Sequence, residues 1–413
     1  MDEKFSALIG ESGDKLLGLG VVIFKNGVEV YANFFGSRKL GKKNLPVTRD
    51  TKFRVASLSK QFTIFTVMQL VEQGKINLDD DVNKYLGFNL RNPNFPQIAI
   101  TPRMLASHTS SIRDGKIYSI PPKFTLQEFF KTDGKFFEDG AHFGSEPPEK
   151  FFTYCNLNYG ILGTIIERVT GKRFDIYQRE NILSQLDTRA DYVVGNLPRE
   201  DFNLLGATYQ KKNPNGHWDE FGAWYAKADD YASQPARDTI YLQNPYAENF
   251  CDTYDLRKYK VGNNATIFSP QGGLRISFEE LTHAAKMILN RGIYHGRKIL
   301  TEKSLAEMFK PQWIFDGQNG ATCGGVMLNY GLGEYKIDGK TSARLVKNRE
   351  INFVGHTGIA FGIISGMFFD ENFKDAIIYV ANGHCIDEDD PRAKGKFSGN
   401  YIWEENIFEK IFS

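Results

Sequence analysis

Cysteine is scarce in this chain. Four occur in 413 residues, Cys155, Cys251, Cys323 and Cys385, and none stands in a C-x-x-C pair. That spacing points to neither a disulfide framework nor a metal site, and free buried thiols are the expectation. An excess of one charge is also missing: 51 basic against 50 acidic side chains leave +1. Such a balance gives no electrostatic ground for a nucleic-acid or membrane-surface partner. Apolar runs are too short to span a bilayer; "GIAFGIISGMFF" (358–369) is broken by glycine. The start, "MDEKFSALIG", lacks a basic segment followed by an apolar one, so no secretory leader is visible. The expectation is a cytoplasmic protein if the chain is full length, and a periplasmic or extracellular one if a leader has been removed. Neither an internal repeat nor a low-complexity linker interrupts the sequence.

What the chain has is apolar mass. Hydrophobic residues make up 41%, with 33 Phe and 19 Tyr, enough for one large domain or two ordinary ones. Residues 18–36 read as a β-hairpin turned at "KNG". Residues 57–73 read as a helix apolar on most faces, hence buried, stopped by Gly74. A short helix over 101–112 has Pro102 in its first turn. The stretch 155–180 carries helical spacing with a stop at Gly171, and 277–292 opens on a capping box, Ser277 with Glu280. Shorter helices follow over 303–309 and 400–412, and strands fill most of the C-terminal third. Residues 206–264 differ: they are aromatic and polar with weak periodicity. Strands at both ends and helices between predict one α+β unit over 1–413. Its antiparallel sheet, flanked by helices from both termini, belongs to an α/β lobe of about 1–75 plus 265–413. A mainly helical insertion lobe covers about 76–264.

Three short stretches carry chemistry together: "SLSK" (57–60), "YCN" (154–156) and "HTG" (356–358). Each has a bland reading, since Ser caps helices, buried Tyr is common and His can be structural. Decoys exist too, at Ser12–Lys15 and in "YAN" (31–33). Context separates them: Ser57 opens a buried helix, Tyr154 precedes one, and His356 lies on a strand. A serine hydroxyl needs a base held nearby to act as a nucleophile. Lys60 lies one turn on, facing the same side. A buried lysine loses its proton more readily, because burial disfavours the ammonium. Tyr154 can share that role as phenolate or proton shuttle. A helix N-terminus adds positive potential and a free amide for an oxyanion, and the strand with Gly358 offers the opposite wall.

These motifs, in this order, resemble the serine β-lactamase and penicillin-binding protein clan. The branch is that of class C β-lactamases, D-alanyl-D-alanine carboxypeptidases and related esterases. "GVVIFKNGVEVYANFFG" looks like the opening hairpin, and "TKFRVASLSKQFT" like the nucleophile helix. "ITPRMLASHTSSI", "FTYCNLNYGILGTIIERVTG", "SPQGGLRISFEEL", "YGLGEYKI" and "VGHTGIAFG" look like later family segments in the family's order. The resemblance implies that Ser57 is acylated and that Lys60 and Tyr154 form the general base. It further implies that Asn156 binds the substrate's amide side chain. His356, Thr357 and Gly358 would form the wall strand, and the amides of Ser57 and Ile359 the oxyanion hole. No organic cofactor or metal is implied, and the partner is a small molecule or short peptide.

The chain departs from the family at four points. Cys155 replaces the usual Ser, and its use as a second nucleophile is the less simple reading. His356 stands where class C β-lactamases have Lys, which argues against efficient β-lactamase action. Ser110-Ser111 replaces Ser-Gly, and "IAFG" follows the wall strand in place of a small polar residue. His108 reads as structural. Two substrate classes stay open, an ester or a D-amino-acid peptide or β-lactam-like amide, as do a degenerate penicillin-recognising protein without turnover and a true class C-type β-lactamase. A carboxypeptidase needs a cation for the terminal carboxylate, and His356, Lys336, Arg344 and Arg349 are the candidates. Trp218, Trp224, Tyr225 and Tyr231 are candidates to line or cover the cleft, with a packed surface insertion the alternative reading of their segment.

Overall fold

Asn26 and Gly27 turn the first hairpin. Both have positive φ, 51° and 76°, as a type I′ turn requires and Asn-Gly tolerates. The structure, a computed structural model, describes residues 1–241 and 253–413. Cys251 and part of the aromatic segment 206–264 lie outside the described residues. The hairpin strands are β1 (Leu16–Lys25) and β2 (Val28–Lys39). Then come α1 (Ser59–Glu72), α2 (Leu157–Thr170), β3 (Thr208–Lys212), β4 (Ala223–Ala228) and α3 (Phe278–Leu289). The last third holds β5 (Tyr335–Asp338), β6 (Asn352–Ala360), β7 (Ile363–Asp370), β8 (Ala376–His384) and α4 (Ile402–Phe412).

One nine-stranded sheet dominates, with its main path ordered β5-β6-β7-β8-β1-β2 and the short strand Leu45–Pro46 at the edge. Neighbours along this path are antiparallel. Two strands of the segment 206–264 join it: β3 meets β8 in parallel at His384 and Gln210, and β4 pairs with β3.

β1 is buried along nearly its whole length, because both faces of the sheet are covered. Val22 and Phe24 point into a core shared with α1, α2 and α3. Leu19, Val21 and Ile23 point into a second core with Phe5 of the short N-terminal helix (Asp2–Ser6) and with Trp403, Ile407 and Phe408 of α4. The alternation is the period-2 rule applied to a strand that is apolar on both faces. The expected α+β fold is therefore observed, with helices from both termini on one face of the sheet.

Helix limits differ from the sequence reading at two informative places. Ala56 has φ 46°, and a single 3₁₀ turn, Ala56–Leu58, precedes the α-helix that starts at Ser59. Ser57 thus sits in the tight entry turn, two residues ahead of the regular helix. The helix expected over 101–112 ends at Ala106. His108 and Ser111 both adopt positive φ, 58° and 63°, which a helix cannot contain. Elsewhere the caps behave as read: Ser277 and Glu280 form the capping box of α3, and Gly171 closes α2 with φ 69°. Among the described residues, no helix is long and apolar enough to cross a membrane.

Candidate active site

Ser57 is half-buried at the mouth of a cavity of about 350 Å³. Lys60, one turn on, is fully buried. Its Nζ donates to Ser57 Oγ at 2.9 Å, to Asn156 Oδ1 at 2.9 Å and to the Gln271 carbonyl at 3.3 Å. The amine also lies 4.6 Å from the centre of the Tyr154 ring and 5.3 Å from that of Tyr159. Burial pushes Lys60 down to about 7, against the pull of Asp114 and Cys155. Near neutrality the amine can lose one proton and turn its lone pair toward Ser57 Oγ. Its two remaining protons match the acceptors on Asn156 and Gln271.

Tyr154 hydrogen-bonds Ser57, and burial holds its phenol well above the ordinary value. The phenolate form expected as one option is disfavoured, and the neutral phenol keeps its O–H. Behind Tyr154 lies His108, with ring centroids 4.4 Å apart. His108 Nδ1 accepts the Cys155 N–H at 3.1 Å, and Nε2 reaches the Tyr330 hydroxyl at 3.2 Å. This is the supporting role read from sequence.

His356 is also fully buried. Its Nδ1 faces the Thr357 carbonyl, so Nδ1 carries the proton, and Nε2 is 2.9 Å from the Tyr330 hydroxyl. Burial, then Lys60, pushes it down to about 3. His356 is therefore neutral and no reader of a carboxylate, which corrects one expectation. Thr357 turns its hydroxyl into the core, 2.6 Å from Glu404 Oε1 and 3.0 Å from the Ser365 carbonyl. Only its backbone belongs to the wall. Packing leaves no room for a side chain at Gly358. A Cβ there would meet the Val55 carbonyl at 2.4 Å and the Leu58 nitrogen at 2.9 Å. The glycine lets β6 press against the turn that carries Ser57. Ile359 and Ala360 then line the same cavity as Ser57.

Asp114 is the site residue that sequence reading missed. Its Oδ2 accepts from Asn156 Nδ2 at 2.9 Å, and its Oδ1 from the Leu157 N–H at 2.8 Å and the Cys155 thiol at 3.3 Å. It caps the start of α2 and orients the Asn156 amide. No spacing rule marks it, because it comes from a loop more than 40 positions upstream of α2. The Cys155 thiol is pushed well up by burial, so it is no nucleophile. Cys385 is buried and unpaired like Cys155; Cys323 is unpaired but exposed, contrary to expectation.

Several other candidates fall away from the site. Lys336 pairs with Glu371. Arg344 lies over the Phe397 ring at 5.5 Å and Arg349 over Phe412 at 5.2 Å. None of the three lines the cavity; Arg54, Lys116 and Arg275 do. Of the four aromatic candidates only Tyr231 faces it. Trp218 stacks on His384, Trp224 donates to Glu11, and Tyr225 is exposed. The decoys are engaged elsewhere: Lys15 donates to the Ala7 carbonyl, and Tyr31 to Asp2.

Known proteins resemble the chain in sequence and in fold. The β-lactamase family model matches residues 5–395. Protein flp of Staphylococcus aureus is 28% identical over 212 residues, covering 50% of this chain and 41% of that protein. The chain thus matches less than half the length of that curated relative. Among solved structures, the D-amino acid amidase of Ochrobactrum anthropi SV3 superposes with a TM-score of 0.64. It is 20% identical and covers 100% of this chain and 98% of the other. The octameric penicillin-binding protein homologue of Pyrococcus abyssi gives 0.60 at 21% identity, covering 92% of this chain and 71% of that one. The chain belongs to the β-lactamase family, within the superfamily of serine β-lactamases and penicillin-binding proteins.

Proposed function

We propose that the protein hydrolyses an amide or ester bond through an acyl-enzyme on Ser57. One observation carries this reading: a fully buried lysine, held near 7, lies 2.9 Å from the Ser57 hydroxyl. Neutral Lys60 takes the Ser57 proton as Oγ bonds to the substrate carbonyl carbon. The carbonyl electrons move onto oxygen, which the amides of Ser57 and Ile359 receive at the first turn of the helix and on the wall strand. The C–N or C–O bond then breaks, and the Tyr154 phenol gives its proton to the leaving atom, to be replaced from Lys60. Water repeats the sequence on the ester and frees Ser57. Asn156, held by Asp114, steers Lys60 and the substrate's amide group.

Neutral His356 supports a leaving group without a carboxylate. That favours an amidase or esterase over a carboxypeptidase or an efficient β-lactamase, each of which must read an anion at the wall strand. The likeness to a D-amino acid amidase fits the amide side of this reading. A fluorophosphonate followed by intact mass tests it. One adduct on the wild type and none on Ser57→Ala is expected, with turnover of a p-nitrophenyl ester down by several orders of magnitude. An equal adduct on Ser57→Ala would show that Ser57 is not the nucleophile; no adduct on the wild type would favour a protein that keeps the fold without turnover.

A further inference from the structure

Arg54 stands three residues before Ser57, on the strand Lys52–Arg54, paired in register with Arg275. Both line the cavity that Ser57 opens into. Their states differ. Arg275 is clamped by Asp229, Nε to Oδ2 at 3.0 Å and Nη2 to Oδ1 at 2.7 Å. Arg54 has no such partner among the described residues. Its Nε is buried without a hydrogen-bond acceptor among the described residues. Its guanidinium stacks 5.3 Å over the ring of Phe361, which φ 57° at the β6–β7 turn turns toward the cavity. Burial and the nearby Arg275 pull Arg54 down to about 10, so it remains cationic at neutral pH. With Lys116 exposed at the rim, three cations and one carboxylate, that of Asp229, line the cavity among the described residues.

The cavity lies on one side of Ser57. Ile359, Ala360 and Phe361 line it, whereas Tyr154, His356 and Thr357 do not. If Tyr154 protonates the leaving atom, the leaving group occupies the Tyr154 side, and the cavity holds the acyl half. We propose that Arg54 reads a carboxylate on the acyl half of the substrate, so that the site takes an acyl group bearing its own negative charge. This rests on the Ser57 acyl-enzyme reading for the side on which the acyl group lies. A half-buried guanidinium with no carboxylate on its planar fork among the described residues is suited to a substrate carboxylate and repels a free ammonium.

The test compares mono-p-nitrophenyl glutarate with its methyl ester, which is neutral. The wild type is expected to prefer the acid about tenfold or more in kcat/KM. In Arg54→Met the acid-to-ester ratio should fall about 10- to 100-fold, mostly through KM, and Arg54→Lys should recover part of it. No preference in the wild type, or equal slowing of both esters in Arg54→Met, overturns the proposal. Titration of glutarate against glutaramide into Ser57→Ala judges Arg54 without turnover. Glutarate should bind more tightly, and the addition of Arg54→Met should remove the difference; equal binding of the two overturns the proposal. If instead Ser57 resists fluorophosphonate while glutarate binding still depends on Arg54, the acyl-enzyme reading fails and the carboxylate site stands.

Discussion

Asp114 grips the Asn156 amide by its nitrogen, 2.9 Å away, and so turns the amide oxygen toward Lys60, also at 2.9 Å. Three groups from separate parts of the chain thus share one orientation. Asp114 also attracts the Lys60 proton. Asp114→Asn should therefore do two things. Turnover should fall roughly tenfold as the charge-assisted bond is lost. The acidic limb of the kcat/KM profile should move to lower pH, because Lys60 loses an attraction that raises it. A fall in activity with an unmoved limb would reduce Asp114 to a cap of α2.

Lys60 gives the wild type a pH dependence with a defined sign. Below about 7 it is an ammonium and cannot accept the Ser57 proton, so kcat/KM should fall as pH drops through 7. Stability has the related slope. The folded value lies below the ordinary 10.5, so the unfolded chain binds more protons between about 7 and 10.5, and this group makes stability rise with pH across that window. Lys60→Met should lower kcat at least about 10²-fold. Urea unfolding at pH 6 and pH 9 should show the variant's stability relative to wild type greater at pH 6.

Tyr154→Phe keeps the ring between Lys60 and His108 but removes the proton donor. An anilide leaves as an amine and needs that proton, whereas p-nitrophenolate leaves without one. The anilide rate should fall about 10²- to 10⁴-fold and the p-nitrophenyl ester rate much less. Equal losses on both substrates would assign Tyr154 to positioning Ser57 alone.

Gly358→Ala tests the contact between β6 and the Ser57 turn. The added methyl meets backbone at 2.4 Å and cannot be relieved by a side-chain rotation. A loss of about 1–3 kcal/mol is expected in chemical unfolding, together with slower fluorophosphonate labelling of Ser57. Wild-type stability and labelling would mean that the strand shifts freely.

The parts legible in the sequence are those encoded locally. Ser57 and Lys60 are one helical turn apart, Asn26-Gly27 names its own turn, and Ser277 with Glu280 forms a cap within one turn of helix. Asp114, Arg54 and Tyr330 meet the site from loops or strands whose partners are far along the chain, and no periodicity marks them. Strand register decides Thr357, whose hydroxyl faces Glu404 and not the cleft; a sequence gives the alternation of faces but not which face is inward. The left-handed backbone at His108 ended a helix that its apolar spacing alone extends. The weak pattern of 206–264 concealed the two strands that join the main sheet, because β4 is largely exposed at its rim and the buried β3 carries the polar Gln210 and Lys211.

The pairing of β1 with β8 sets an order of events during synthesis. Val21 lies beside Tyr379 in the sheet, and the ribosome makes roughly 360 residues between them. At about 5–20 residues per second this takes about 20–70 s. For that time the most apolar strand of the protein has only β2 beside it, and an isolated hairpin is barely stable in water. Its free edge remains open until β8 emerges, and the face of Leu19, Val21 and Ile23 until α4 does. A nascent chain stalled anywhere before Ala376 therefore presents the ribosome exit with an unfinished sheet, and its solubility depends on whatever holds that edge until translation resumes.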